Sequence, residues 1–436
     1  MVALDFSIIT LFFAVFGIGY LVGLVYVLSS VKRRVAEEGE ASDHLFSLII
    51  PARDEEAVIG STLQSLLALR YPGDQFEILV VDDGSTDGTA KVVREVRRNS
   101  RDRIHLLGVP KEVSGRGKPV VLNTGYAWLR ERSRFRGDSR WIIGVFDADG
   151  RPDPDMLRKA SYQFRDSQVA GVQATVRIRN QRATWLAGMQ QVEFGAFARM
   201  TQFIRMRIAR SASMGGNGQF VRTTALDGVA LDEAAGIFWD PRSLTEDLEL
   251  AARLALRNWD LHHLHTTSVS QEGVERLPAL LRQRVRWAWG SLQVFVSYVL
   301  RLRVLRAPKV RLRKRIDLLV NLSLFLVSPL VLVVWVAMAL ALIGLLQVVN
   351  VFPALFMILL AFSYLPIVGY GLVSLDGYRK AHLPLDLIGF IIYTYHWIPS
   401  LVIGLWHLAA GHLPTWSKTS RTEGSLLRKT DELLQP

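Results

Sequence analysis

Apolar residues are distributed along this chain in two ways. Toward both ends they form long runs without charge; in the middle they form short blocks between helical patterns. Phe6 to Leu28 is a 23-residue uncharged run, long enough to cross a bilayer. Asp5 precedes it and Lys32, Arg33 and Arg34 follow it. A secretory signal has the opposite charge order, so the run reads as an anchor whose C-terminal end faces the cytoplasm. Leu318 to Leu375 holds no Asp, Glu, Lys or Arg over 58 residues, and Asn350 and Pro353 mark a turn that divides it into two spans. Asp376, Arg379 and Lys380 then form a cytoplasmic loop. Leu387 to Trp416 is again free of those charges but contains His396, Pro399, His407 and His412. A single crossing there would leave Lys418, Arg421, Arg428 and Lys429 outside, against the positive-inside tendency. A re-entrant or two-piece hairpin divided at Pro399 keeps the C-terminus inside, and that reading is preferred.

Between about Ser47 and Thr267 the pattern is that of an α/β sheet. Leu48 to Ile50, Ile78 to Val81 and Trp141 to Phe146 read as buried strands. Thr62 to Leu69 and Thr89 to Arg97 read as the helices beside them. Two further stretches, Trp185 to Ile208 and Leu277 to Leu305, mix apolar and Arg positions as an interfacial helix does. A helix packed on the soluble domain has the same mixture. The expected organisation is an anchor over 1–31, an α/β domain over 45–270 and interface helices over 271–315. A membrane region over 316–412 and a cytoplasmic tail over 413–436 follow.

The 436 residues carry a formal net charge of +12 and no cysteine. Thiolate metal sites, disulfides and thiol nucleophiles are therefore excluded. A basic balance suits phosphorylated substrates, anionic lipid or nucleic acid. Positive charge that holds loops on the cytoplasmic side of a membrane also explains it, and no nucleic-acid partner is expected.

The chemistry-bearing residues lie at strand ends, where open α/β sheets bind ligands. Asp82 and Asp83 follow the second strand and can accept hydrogen bonds from a base or ribose; a polar turn is the plain alternative. Asp83 to Gly88 resembles the start of a calcium loop. Arg94 stands where a bidentate Glu would be needed, and calcium is rejected. Asp147 and Asp149 alternate along an extended segment, so both carboxylates can face one Mg²⁺ or Mn²⁺ ion. Ser243-Leu-Thr-Glu246 has the form of a capping box, which by itself leaves Asp247 unexplained. Gln283, Arg286 and Trp287 fall within one helical turn; Arg can fork onto a diphosphate, and Trp offers a face for a sugar ring. His262, His263 and His265 read as a polar strand face rather than as metal ligands.

Taken in order, Val80-Val-Asp-Asp-Gly-Ser85, Phe146-Asp-Ala-Asp149, Thr245-Glu-Asp247 and Gln283-Arg-Val-Arg-Trp287 resemble the family 2 membrane glycosyltransferases of GT-A fold. Cellulose, hyaluronan, chitin oligosaccharide and poly-N-acetylglucosamine synthases belong to that family. The resemblance covers about residues 47 to 300 and the flanking apolar pattern. It implies that Asp82 and Asp83 contact the nucleotide, that Asp147 and Asp149 bind metal and diphosphate, and that Asp247 is the base. Gln283, Arg286 and Trp287 would border the donor and acceptor site. Pro51-Ala-Arg-Asp-Glu55-Glu56 resembles the family's PxxNEE start with Asp54 in place of Asn, which brings Pro51 and Glu55 into the expected site. Gly117-Lys118 with Asn123 resembles its GKxxALN segment, adding Lys118. Gly215 to Phe220 falls where the family has an acceptor loop, and Trp416 to Thr419 resembles a motif at the cytoplasmic face.

The implied reaction is inverting transfer from a UDP-sugar at the cytoplasmic face of the cell membrane. A growing β-linked polysaccharide is the first acceptor, with translocation and an accessory export subunit as companions. A membrane lipid is the alternative acceptor, and bilayer lipids are expected partners in either case. A non-catalytic transporter is disfavoured by the ordered carboxylates and by apolar spans without ionisable Asp, Glu, Lys or Arg.

Overall fold

A computed structural model describes residues 2–4, 39–100, 102–348, 362–375 and 377–412, with 18, 19, 22, 23, 25 and 26 between them. Eight strands form one sheet: β1 Leu45–Ala52, β2 Phe76–Asp82, β3 Ile104–Gly108, β4 Trp141–Val145, β5 Arg151–Pro152, β6 Val169–Ile178, β7 Gln219–Arg222 and β8 Asp260–Gln271. Their order is β3-β2-β1-β4-β7-β6-β8-β5. The first four are parallel, with Phe46 opposite Phe76 and Ile142. The side chains of β1, β2 and β4 are buried on both faces, as a parallel sheet covered by helices requires, while β3 at the edge is half-buried. Strand β7 then runs antiparallel to β4 and β6.

Helices α1 Glu56–Leu67, α2 Thr89–Arg98, α3 Lys118–Arg132 and α4 Met156–Gln163 cover the sheet. Tyr126 and Leu129 of α3 sit over Ile49 and Leu79 in one core layer, and Leu63 of α1 joins Ile50 and Val80 in the other. The strands and helices expected from the pattern are present: β1, β2 and α2 run one to three residues past the expected ends, α1 begins six residues earlier and ends two earlier, and β4 stops one residue short of Phe146.

The second half is a set of long helices. α5 Trp185–Gln191 passes through a π-helical turn, Val192–Ala198, into α6 Arg199–Ala209. α7 is Glu246–Leu256, and α8 Leu277–Phe295 runs on into a π-helical turn, Val296–Leu300. α9 Leu312–Ser323, α10 Val327–Leu342, α11 Leu365–Val373, α12 Leu383–Thr394 and α13 Trp397–Ala409 follow.

Several arginines expected at headgroups point inward instead. Arg284 is fully buried and pairs with Glu193 at 2.5 Å. Arg199 is buried, and Arg205 pairs with Asp317 at 2.8 Å. Carboxylates make the Arg284 and Arg205 positions tolerable, and Arg199 donates to Ser374 Oγ. Arg207, Arg282, Arg301 and Arg303 remain exposed.

Among the described residues one helical run, Lys380–Ala409, is long and apolar enough to cross a membrane. It comprises α12 and α13, and its break falls at Tyr395 and His396 rather than at Pro399. Pro399 instead lies in the first turn of α13, where a missing N–H costs no helical bond. Of the two spans expected in Leu318 to Leu375, the first falls on α9 and α10, which a 3-10 turn, Leu324–Leu326, joins into an unbroken helical run over residues 312–342. α11 packs on the α5–α6 unit so closely that a Cβ on Gly371 would lie 2.8 Å from the carbonyl oxygen of Ala196. Most of the Phe6–Leu28 anchor, residues 349–361, Asp376 and the tail with Trp416 to Thr419 lie outside the described residues.

Candidate active site

The carboxyl ends of β1, β2 and β4 open into a cavity of about 370 Å³. Pro51, Glu55, Asp83, Lys118, Asp147, Asp247, Gln283, Arg286 and Trp287 all line it. Segments nearly 240 residues apart in sequence, from Pro51 to Trp287, thus meet in one place.

Two expected residues stand back from the wall. Asp82 ends β2, and its Oδ1 accepts the Ser85 N–H at 2.9 Å, which fixes the turn. Asp149 is 1% exposed, and its Oδ2 accepts the Glu272 N–H at 3.0 Å. The alternation argument fails at Asp149 because β4 ends at Val145. A turn follows, closed by the Gly150 N–H on the Asp147 carbonyl at 2.8 Å. Asp147 faces the cavity, and Glu272 lines it nearby.

Asp83 is held on three sides. Its Oδ1 accepts the Gly115 N–H at 2.8 Å, its carbonyl accepts from Ser114 Oγ at 2.9 Å, and Arg53 lies 3.5 Å from Oδ2. Asp54 adopts φ of 52°. Its Oδ1 accepts from the Thr86 N–H at 2.7 Å, bracing the β1 loop against the β2 loop. Asn and Asp share tolerance of that left-handed region, which accounts for the Asp at this position.

Lys118 opens α3, followed by Pro119 in the first turn, where no N–H is needed. Its Nζ lies 2.7 Å from Asp147 Oδ1 and 3.8 Å from Glu246 Oε1. Burial works against the Lys118 charge, but Asp147, Glu246 and Asp247 outweigh it and raise its pKa. Glu246 is pushed up to about 7 by burial first and by the Asp247 charge second. Burial likewise raises Asp247. The Asp247 Oδ1 accepts the Leu248 N–H at 2.7 Å. Its Oδ2 faces Gly216, whose φ is 77° and where an added Cβ would come within 3.0 Å of that oxygen and 3.1 Å of Lys118 Nζ. Burial lowers Arg286, while the Glu246, Asp147 and Asp247 charges pull the other way. Two cations and three acids therefore share one water-poor space.

The capping box expected at Ser243 to Glu246 does not form. α7 has no side-chain cap; Ser243 Oγ accepts from the Thr245 N–H at 3.3 Å, and Glu246 turns toward Lys118 instead. An ammonium in a buried site is a stronger partner for that carboxylate than a backbone N–H at a helix end. Glu246 is therefore a site residue that the local pattern disguised as a cap.

Trp287 is positioned from behind. The Arg284 guanidinium lies 4.2 Å from the centroid of its ring, and Phe194 meets it edge-on at 6.1 Å. Arg284 also donates to Tyr393 Oη at 2.9 Å. Trp397, from the C-terminal apolar run, lines the same cavity. Neither Phe194 nor Trp397 carries a local signal that would have marked it. The close approach of α8 to the Thr245 loop requires Gly290, where a Cβ would come within 2.6 Å of Thr245.

Asn123 and Asn217 serve as braces. Asn123 Oδ1 accepts the Phe238 and Trp239 N–H groups at 2.9 Å, and Asn217 Oδ1 accepts the Asp147 N–H at 3.2 Å. His262 bonds to Gln163 at the end of α4, and His263 to Thr175 of β6. Among the described residues no cluster of three or more His, Asp or Glu side chains is arranged for a metal.

Residues 43–290 match the family profile described as glycosyltransferase like family 2. A beta-monoglucosyldiacylglycerol synthase of Synechocystis sp. is 34% identical over 253 residues, 58% of this chain and 48% of its own length. A probable glucomannan 4-beta-mannosyltransferase of Oryza sativa subsp. japonica is 25% identical over 92% of this chain and 65% of its own length. The chain spans about half the length of the first of these relatives. Among solved structures, a mannosyltransferase of Pyrobaculum calidifontis in complex with GDP-Man and Mn²⁺ superposes with TM-score 0.56 at 19% identity, covering 91% of this chain and 99% of that one. That likeness carries the fold, an α/β domain of GT-A type. With more than half of its residues matched by the profile, the chain belongs to the glycosyltransferase family 2.

Proposed function

We propose that this protein transfers a sugar from a nucleoside-diphosphate sugar to a hydroxyl of a membrane lipid, with inversion at the anomeric carbon. The observation that carries the reading is the cluster of Lys118, Asp147, Glu246, Asp247 and Arg286 in one cavity, Glu246 buried and the other four partly so. Asp247 Oδ2 is the base, since Oδ1 is held by the Leu248 N–H. Its raised pKa makes it a stronger proton acceptor. The acceptor oxygen loses its proton to Asp247 and bonds to the anomeric carbon. The bond from that carbon to the diphosphate oxygen breaks, and its electron pair leaves with the nucleoside diphosphate. Lys118 and Arg286 offset the charge that builds there. No covalent nucleophile is needed.

The donor set fits a hard divalent ion, which needs one or two protein carboxylates when diphosphate supplies its other oxygens. Asp147 would hold Mg²⁺ or Mn²⁺ from the cavity wall, with Asp149 directly behind it. Bound there, the ion adds positive charge at the leaving diphosphate. Asp82 and Asp83 set the nucleotide loop, with Pro51 and Glu55 beside it. Gln283 and Trp287 border the acceptor.

The lipid acceptor is favoured by the apolar share of the wall, where Phe194, Trp287 and Trp397 adjoin the acids. It is favoured also by the monoglucosyldiacylglycerol product named for the Synechocystis relative. A β-linked polysaccharide is the second reading, which the extent of the match to the rice relative supports. The catalytic domain is read as cytoplasmic and bound to the cell membrane. Incubating the purified chain with UDP-glucose or GDP-mannose and dispersed diacylglycerol, then sizing products by mass spectrometry, tests both. A one-sugar lipid supports the first reading; polymer without glycolipid would overturn it.

A further inference from the structure

The stretch from the end of the π-helical turn after α8 into the first turn of α9, residues 301–315, contains eight Lys and Arg and no acid. It is not a loose tether. Val304 and Val310 are buried, and the Val304 N–H reaches the Tyr298 carbonyl at 3.0 Å. Lys314 is fully buried, with Nζ 2.8 Å from Asp260 Oδ1 and 3.1 Å from the Asn258 carbonyl. Arg315 donates to the carbonyls of Ala307 and Val310 at 2.8 and 3.1 Å.

Those bonds employ two of the cations. The other six, Arg301, Arg303, Arg306, Lys309, Arg311 and Arg313, are exposed, and none pairs with a carboxylate among the described residues. Leu300, Leu305, Leu312 and Ile316 stand among them at 60%, 50%, 68% and 52% exposure. A row of like charges without counterions repels itself. Exposed leucines on a folded segment lose the benefit of burial. One surface answers both conditions, because it offers phosphate oxygens with hydrocarbon directly beneath them. The segment also runs directly into the uncharged stretch that begins at Leu318.

We propose that residues 300–316 dock on a membrane surface that carries anionic phospholipid headgroups. The exposed cations pair with phosphates there, and Leu305, Leu312 and Ile316 enter between them. This deepens the proposed function and rests on its reading of a bilayer-held acceptor. The rear of the segment is tied to the helix that carries Asp247, through Tyr298 Oη on Glu249 at 2.6 Å, so docking fixes the cavity relative to the bilayer.

The absence of cysteine makes the test direct, since Leu305→Cys supplies a unique label site. The full chain, labelled there with an environment-sensitive fluorophore, is placed in nanodiscs of phosphatidylcholine alone or mixed with phosphatidylglycerol. The expected result is blue-shifted emission, quenched by nitroxide lipid, in the anionic discs only. High salt reverses it without any further variant, and Arg301→Gln, Arg303→Gln and Arg306→Gln together abolish it. Water-like emission in both discs, or an equal shift in both, overturns the proposal. So does a shift produced by a DNA duplex but not by anionic discs. Transfer to detergent-dispersed acceptor reports on the cavity separately: its loss with normal docking fluorescence would sink the enzymatic reading and leave the docking surface standing.

Discussion

The ammonium of Lys118 stands 2.7 Å from Asp147 Oδ1, so the first acid past β4 meets a cation supplied by the protein itself. Lys118 at the start of one helix thereby organises acids from two other segments. Lys118→Met should lower kcat/KM by about 10²–10³-fold, the loss typical of removing one donor to developing charge. The melting temperature should fall too, because three acids lose their shared counterion. Steady-state kinetics and calorimetry check both. Near-normal turnover in a folded variant would remove Lys118 from the mechanism.

Asp247→Asn keeps the shape of the site and removes the base. The expected loss in kcat is about 10²–10⁴-fold, with donor KM little changed. Isothermal titration with the nucleotide separates the two. Retained transfer would assign the proton to another group.

Raised carboxyl pKa values give activity and stability opposite pH trends. Asp247 must be ionised to accept a proton, so activity should climb as pH rises above the ordinary carboxylate range. Glu246, raised from 4.5 to about 7, binds its proton more tightly folded than unfolded. Its contribution to stability is therefore complete below about 4.5 and is lost as pH rises toward about 7. In Glu246→Gln that part of the decline should vanish from denaturation curves. Lys118 would then favour ionised Asp247 more strongly, moving the acidic limb of kcat/KM to lower pH. An unchanged limb would show that the two acids titrate independently.

Gly216→Ala places a methyl 3.0 Å from Asp247 Oδ2 at a φ of 77°. A left-handed residue with a Cβ costs about 1–2 kcal/mol. Circular dichroism should show a folded protein with a modest loss in melting temperature. Transfer should drop at least tenfold, as about 1.4 kcal/mol at the transition state suffices for that.

Arg284 does not line the cavity, yet it backs Trp287, which does, at 4.2 Å. Arg284→Met leaves the Glu193 carboxylate without its buried partner and should cost about 3–5 kcal/mol. Arg284→Lys keeps charge but loses the planar face and fork. It should raise acceptor KM while leaving donor affinity intact. Separate acceptor and donor titrations distinguish these effects.

The legible part of this site was whatever strand periodicity and strand ends dictate. Leu48, Ile78 and Trp141 announced the sheet, and Asp83 and Asp147 fell at its productive edge. Asp149 was misplaced because alternation was carried past Val145, where the strand gives way to a turn. Glu246 was misread because a capping pattern is local, whereas the ammonium that claims its carboxylate lies 128 positions earlier in the chain. Phe194 and Trp397 could not be found by any local rule. Their places follow from how α8 packs between the α5–α6 unit and α13, which only the tertiary arrangement reveals.

Trp397 has a consequence for how such a protein can be taken apart or recombined. The family match stops at residue 290, but the cavity borrows a wall from beyond it. A Cβ on Gly404 of α13 would lie 3.0 Å from the Trp289 backbone nitrogen, so the two helices are fitted to each other. Exchanging residues 43–290 alone between relatives would pair a helix with a stranger's wall. A working chimera has to carry α8 and the Lys380–Ala409 run as one inherited piece, and acceptor preference should travel with that piece rather than with the nucleotide-binding strands.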